Sequence, residues 1–159
     1  MLEMNQKVVF EKLAVKERTQ YLELFLLADE SEAMIERYLN EGEAYLIQIE
    51  EKTIGVILFT FPDSQTVEIK NIAIEPCHQE QGIGKQTLAL AESHYAAKGF
   101  SAMVVGTANS SISAIVFYQK AGFRINSIKK DFFLHYPEPI VEDGIPAIDM
   151  LIFEKKLKV

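Results

Sequence analysis

One stretch constrains the fold of this chain more than any other. Residues 66–74 alternate in the manner of a strand, residues 79–84 form a tight polar loop with two glycines, and residues 84–98 follow with helical spacing of apolar side chains. The loop reads Gln79-Glu80-Gln81-Gly82-Ile83-Gly84 and runs without a break into Lys85-Gln86. At a glycine-rich helix start the first backbone N–H groups have no intrahelical partner, and the helix dipole adds partial positive charge. Such a loop is an anion site, suited to phosphate. Two common phosphate loops are excluded. A P-loop needs Gly-x-x-x-x-Gly-Lys-Ser/Thr, but Gln86 follows Gly84-Lys85, and Gln79 stands five positions before Gly84. A dinucleotide fingerprint needs a small third residue where Thr87 stands. It also needs an acid about twenty residues on, where Ser101, Ala102 and Met103 supply none.

The strand before the loop carries an irregularity. Val67 and Ile69 are apolar, with Glu68 and Lys70 polar between and after them. Beyond Asn71 the large apolar residues are Ile72 and Ile74. Side chains alternate strictly along a strand, so this change of parity implies one extra residue, a β-bulge near Asn71-Ile72.

The pattern that does fit the loop is Gln-x-x-Gly-x-Gly. Downstream, Asn109 opens a run to Phe117-Tyr118-Gln119-Lys120-Ala121-Gly122-Phe123. Together these resemble the GNAT superfamily of N-acetyltransferases, whose loop holds the pyrophosphate of acetyl-coenzyme A and whose second motif is Asn…Phe-Tyr-x-x-x-Gly-Phe. The run Gly106-Thr107-Ala108-Asn109-Ser110-Ser111 and the segment Asp131-Phe132-Phe133-Leu134 are similar to one branch of it, the YvbK-like acetyltransferases. The resemblance covers nearly the whole chain and implies a single domain over residues 1–159. The implied fold is α/β (α+β), with a central mixed, mostly antiparallel seven-stranded sheet, a splayed parallel strand pair and about four flanking helices. It also implies acetyl-coenzyme A as cosubstrate. The backbone of Ile72, Ala73 and Ile74 would pair with the pantetheine arm like an added strand. Gln79, Glu80, Gln81, Gly82, Ile83, Gly84 and Lys85 would surround the phosphates.

Composition narrows the partners. A chain of 159 residues, 48% hydrophobic and 25% charged, is ordinary for a globular domain with a full core. The net charge of −7 argues against nucleic acid as the main partner and fits a cationic small substrate better. Cys77 is the one cysteine and has no internal partner, so a cytoplasmic location is expected. The longest apolar run, residues 54–61, is too short to span a membrane, and residues 1–10 lack a secretory pattern. Strands near the C-terminus leave room for a homodimer.

Taken in order, residues 7–13 read as a strand and residues 16–28 as a helix. Ser31 opens a second helix over 32–40, with Gly42 beyond its end. Residues 43–49 and 53–61 form a hairpin. After the central strand, loop and helix, residues 101–106 are a buried strand parallel to the first. Ser110 and Ser111 can cap a helix over 112–121. Residues 123–131 and 147–153 are the last strands, separated by a Pro- and Gly-containing loop made acidic by Glu138, Glu142 and Asp143.

The resemblance also assigns chemistry. Acetyl transfer to an amine needs an acid for the leaving thiolate and a base or proton wire for an ammonium of pKa about 10. Tyr118 matches the family's tyrosine near the sulfur and would be that acid; its other reading is a core aromatic beside Phe117. Glu68 stands where the histone-acetylating branch has its catalytic glutamate; its other reading is a strand carboxylate paired with Lys70 or a neighbouring strand. Asn109 would contact the cofactor or help cap the helix. The helices after the first strand cover the acceptor in this family, which carries Phe25 and Asp29 into its neighbourhood, with Asp131, Phe132 and His135 as further candidates. No metal site is expected, since His94 and His135 have no ligand spacing with a Cys or carboxylate. Cys77-His78 as an acetyl-carrying pair is set aside, because neighbours on an extended chain point apart. The function expected is N-acetylation of a small-molecule or peptide amine by direct attack. A reading from another class is a catalytically silent acyl-coenzyme A-binding module. If the loop assignment is right, Gly82→Val folds but loses coenzyme A binding in calorimetry; tight binding by the folded variant would refute it.

Overall fold

The structure is a computed structural model that describes residues 6–79 and 81–158. Strands β1 (Val8–Leu13), β2 (Glu43–Ile49), β3 (Lys52–Asp63) and β4 (Thr66–Ile74) form an antiparallel meander. Helix α3 (Ile83–Ala97) crosses to β5 (Ala102–Ala108), which lies parallel to β4. Helix α4 (Ile112–Lys120), β6 (Arg124–Lys129), the short hairpin of β7 (Val141–Glu142) and β8 (Ile145–Pro146), and β9 (Met150–Lys156) complete the chain. The main sheet has seven strands in the order β1-β2-β3-β4-β5-β9-β6. Its architecture is the mixed, mostly antiparallel one expected.

The sheet buries a core on each face. One gathers Ile57, Phe59, Val67 and Phe153 with Leu88 and Tyr95 of α3 and Tyr118 of α4. The other sets Leu46, Val56, Leu58 and Ala73 against Phe25, Ile35 and Leu39. Between them β4 changes parity as its sequence implies. Leu58 pairs with Asn71 and Phe59 with Ile69, which leaves Lys70 as the extra residue, one position before the expected place. Val67 and Ile69, and beyond the bulge Ile72 and Ile74, therefore pack on the first core, while Ala73 packs on the second and Asn71 is buried. The parallel ladder runs from Thr66 with Ala102 to Ile69 with Val105 and stops at the bulge. Both strands continue, to Ile74 and Ala108, without pairing with each other.

The segment before β2 differs from expectation. Residues 15–25 are a 3-10 run, Val15–Tyr21, followed by one α-helical turn, α1 (Leu22–Phe25). Helix α2 spans only Glu32–Glu36, although Ser31 caps it as predicted, its Oγ accepting from Met34 N–H at 3.2 Å. Arg18 accounts for both. Its side chain is buried and its guanidinium donates to Leu39 O (2.8 Å), Glu41 O (2.6 Å) and Gly42 O (3.0 Å), carbonyls that a longer α2 would turn elsewhere. Gly42 has φ +59°, and a Cβ there would overlap the Phe59 carbonyl oxygen. The last strand also starts later than predicted, at Met150, because Asn109 Oδ1 accepts the N–H groups of Ile148 (2.8 Å) and Asp149 (3.0 Å).

Arg18→Met removes the donors of three carbonyls beneath a buried side chain. A loss of about 3 kcal/mol in urea unfolding is expected. A loss below about 0.5 kcal/mol would show that the turn holds itself.

Candidate active site

A cleft of about 740 Å³ opens where β4 and β5 part. Glu75 N–H still bonds to Ile54 O of β3 at 2.8 Å, so by strand alternation the peptide groups of Ile72 and Ile74 face the gap. Gln79 Nε2 donates to Ile74 O (2.9 Å) and ties the phosphate-loop candidate to the open edge. Gly82 lines the cleft at φ +78° and its carbonyl accepts from Gln86 N–H at 3.1 Å, which starts α3. Gly84 faces Phe117, whose ring would lie 3.0 Å from a Cβ. Lys85 and Lys120 also line the cleft, and among its described lining residues no carboxylate appears.

The other loop candidates divide. Ile83 is buried in the first core and Ala73 in the second, so neither brings a side chain to the cleft. Gln81 donates to Cys77 O at 3.1 Å and shapes the loop. Glu80 lies outside the described residues. Asn109 anchors the chain entering β9: besides the bonds of Oδ1, its Nδ2 donates to Pro146 O (3.1 Å). Ser110 and Ser111 do not cap α4 by side chain; both hydroxyls donate to Glu142 Oε1, at 2.8 and 2.7 Å.

On the far side of Tyr118 lies a second hollow, of about 280 Å³. Tyr118, Ile72 and Ala114 line both voids, so they form the wall at which the two meet. Burial pushes the Tyr118 phenol well above its ordinary pKa, and it stays protonated at neutral pH. The second hollow carries Asp29, Glu30 and Glu142 against one cation, Lys70. Asp29 is a structural node. It accepts from the hydroxyls of Tyr38 (3.0 Å) and Tyr136 (3.1 Å) and from Ser31 N–H (3.3 Å). Tyr38 OH in turn accepts from Asn71 Nδ2 (3.0 Å), which also donates to Phe25 O (3.2 Å). Burial raises the pKa of Tyr38 and Tyr136 first of all, with the Asp29 charge adding to it, so both remain donors.

Glu68 lies in an adjoining hollow. It accepts from Thr60 Oγ1 (3.2 Å), lies 3.9 Å from Lys70 Nζ, and lines a third hollow that shares Asp29, Lys70 and Tyr136 with the second but that Tyr118 does not line. Phe132 lines that hollow too. Phe25 is fully buried in the second core and meets none of the three hollows. Asp131 and His135 are exposed and line none of them either; Asp131 starts a 3-10 turn in the left-handed region at φ +60°. Cys77 and His78 correct the extended-chain argument. They sit on a 3-10 turn, Pro76–His78, with Cys77 Sγ 3.2 Å from His78 Nδ1. With Glu75 they form the one close trio of potential metal ligands among the described residues, and none of the three lines either void.

Tyr38, Tyr136, Asn71 and Glu142 are the site residues that sequence reasoning missed. For Glu142 the signal was the acidic loop; for the others nothing local distinguishes them. Tyr38→Phe strips Asn71 and Asp29 of a shared partner in a buried place. A loss of about 1–3 kcal/mol in chemical denaturation is expected, and no measurable loss would remove the node from the account.

Comparison with known proteins agrees with this geometry. The acetyltransferase (GNAT) family profile matches residues 10–123. The uncharacterized N-acetyltransferase YvbK of Bacillus subtilis is 39% identical over 149 residues, 93% of this chain and 96% of its own. A GNAT family acetyltransferase from Elizabethkingia anophelis, solved with acetyl-CoA bound, is 39% identical with a TM-score of 0.88, over 95% of this chain and 99% of its own. A Bacillus subtilis acetyltransferase in complex with CoA is 36% identical with a TM-score of 0.84, over 97% and 100%. The chain belongs to the GNAT family of acetyltransferases.

Proposed function

We propose that this protein transfers the acetyl group of acetyl-coenzyme A to the amine of a small molecule or peptide, by direct attack while both are bound. The observation that carries the reading is a separation of charge across one wall. In a chain of net charge −7, the cleft beside the glycine loop is lined by two lysines and no described carboxylate, while the hollow across Tyr118 has three carboxylates and one lysine. An anionic donor suits the first and an ammonium acceptor the second.

The cleft's residues fit such a donor. The N–H groups at the start of α3, with Lys85 and Lys120, would meet its phosphates. The peptide groups of Ile72 and the N–H of Ile74, which face the gap, would take its extended arm as an added strand. When bound, the donor supplies an acyl group activated as a thioester. A strand N–H near Ile72 to Ile74 would meet the negative charge that grows on the acyl oxygen. Tyr118, protonated and at the wall between the voids, gives the leaving sulfur its proton. The single exposed cysteine, Cys77, supports placing the protein in the cytoplasm.

Thiol release from acetyl-coenzyme A in the presence of spermidine, tyramine, lysine or a short peptide tests the reading. Release with one class names the acceptor. Tyr118→Phe should leave coenzyme A affinity within a few-fold while cutting kcat by roughly ten- to a thousandfold. An unchanged kcat would remove Tyr118 from the chemistry.

A further inference from the structure

We propose that Glu142 is the carboxylate that receives the acceptor's ammonium group beside Tyr118 and takes its proton. This rests on the acetyltransferase reading above. Four ionisable or charged side chains share the hollow with Tyr118 and Glu142: Asp29, Glu30, Lys70 and Tyr136. Asp29 has both oxygens occupied, by two phenols and a backbone N–H. Glu30 is exposed at the rim. Glu68, the expected base, is engaged by Lys70 and Thr60 in the adjoining hollow, which shares Asp29, Lys70 and Tyr136 with this one but does not include Tyr118. Glu142 is half-buried and lines the same hollow as Tyr118.

The environment of Glu142 is built rather than incidental. One of its oxygens, Oε1, accepts both Ser110 and Ser111 hydroxyls, and Ser110 is fully buried. These serines stand at the start of α4, where a serine ordinarily caps backbone N–H groups; they hold a carboxylate instead. Among the described residues no hydrogen bond or ion pair engages Oε2. The β7–β8 hairpin that carries Glu142 is fixed at its base by Asn109, through Pro146 O, Ile148 N–H and Asp149 N–H. The family motif residue thus acts here as a positioning residue for the hairpin. A carboxylate oriented through one oxygen, with the other oxygen unengaged in the hollow that Tyr118 also lines, is arranged to take a proton.

In the step, an ammonium N–H proton passes to Glu142 Oε2, and the freed lone pair forms the C–N bond to the acyl carbon. The C–S bond breaks as Tyr118 protonates the sulfur. The second proton shed by nitrogen restores the Tyr118 phenol, and Glu142 releases its own to solvent.

The experiment compares wild type, Glu142→Gln, Glu142→Asp and Glu68→Gln with the amine of the panel above that reacts fastest. Glu142→Gln should lower kcat/KM by roughly ten- to a thousandfold at pH 7, and the deficit should shrink at least about tenfold toward pH 10, where the amine is already neutral. Glu142→Asp should recover part of the rate, and coenzyme A affinity should stay within a few-fold of wild type by calorimetry. A deficit equal at both pH values with a lowered thermal midpoint would reduce Glu142 to a tether of the hairpin. A pH-dependent deficit in Glu68→Gln alone, or a wild-type rate in Glu142→Gln, would also overturn the assignment while leaving the acetyltransferase reading standing. Wild-type protein that releases no thiol with any of these amines would overturn both.

Discussion

Between Ile69 and Asn71 the fourth strand has one residue more than its antiparallel neighbour, and the parallel pairing begun at Thr66 stops there. The consequences follow from strand geometry. An extra residue reverses which side chains face each core and sharpens the local twist. Ile72 and Ile74 thereby join Val67 and Ile69 on the core beneath α3 and α4, while Asn71 is buried and Ala73 joins the opposite core. Past the bulge, β4 presents peptide groups that no strand of this chain pairs with. Unpaired backbone at a strand edge is a template for another extended chain. The cleft is therefore a product of pairing that ends early, and Lys70, the residue that ends it, points out into the hollows on the other side.

The second constraint is the wall shared by the two voids. Tyr118 is held there by Phe123 and Phe153, with ring centroids at 5.6 and 6.0 Å, and by Phe117 at 5.0 Å. That packing explains both readings of the residue at once. It is a core aromatic by contact, and its burial is what keeps the phenol protonated. Around it, polar groups are fixed by partners within this chain. Tyr38 and Tyr136 converge on Asp29, two serines hold Glu142, and Asn109 ties down the hairpin. The side facing an acceptor is thus built from residues that come from four separate stretches of chain.

That dispersion explains what sequence could and could not reveal. The parity of β4, the glycine loop and the parallel crossover are local patterns, and each appears where the residues imply, the bulge within one position. The roles of Arg18 and Asn109 are not local. Arg18 looks like any charged residue of an amphipathic helix, yet it is buried and satisfies carbonyls more than twenty residues on. Asn109 sits at a motif position but spends its amide on residues 146–149. Tyr38 and Tyr136 lie far apart in sequence, and only the tertiary fold places them on one carboxylate. Phe25, Asp131 and His135 line none of the three hollows for the converse reason: a position carried over from a resemblance says which segment is near, not which way its side chain points.

Amide hydrogen exchange tests the central claim most directly. Adding coenzyme A should slow exchange at Ile72 and Ile74, the groups facing the gap, and at the start of α3, by at least about tenfold, while Ala73 N–H, turned toward β3, changes little. Binding of coenzyme A with unchanged exchange at Ile72 and Ile74 would contradict the account, because the open edge of β4 would then not be where the donor lies.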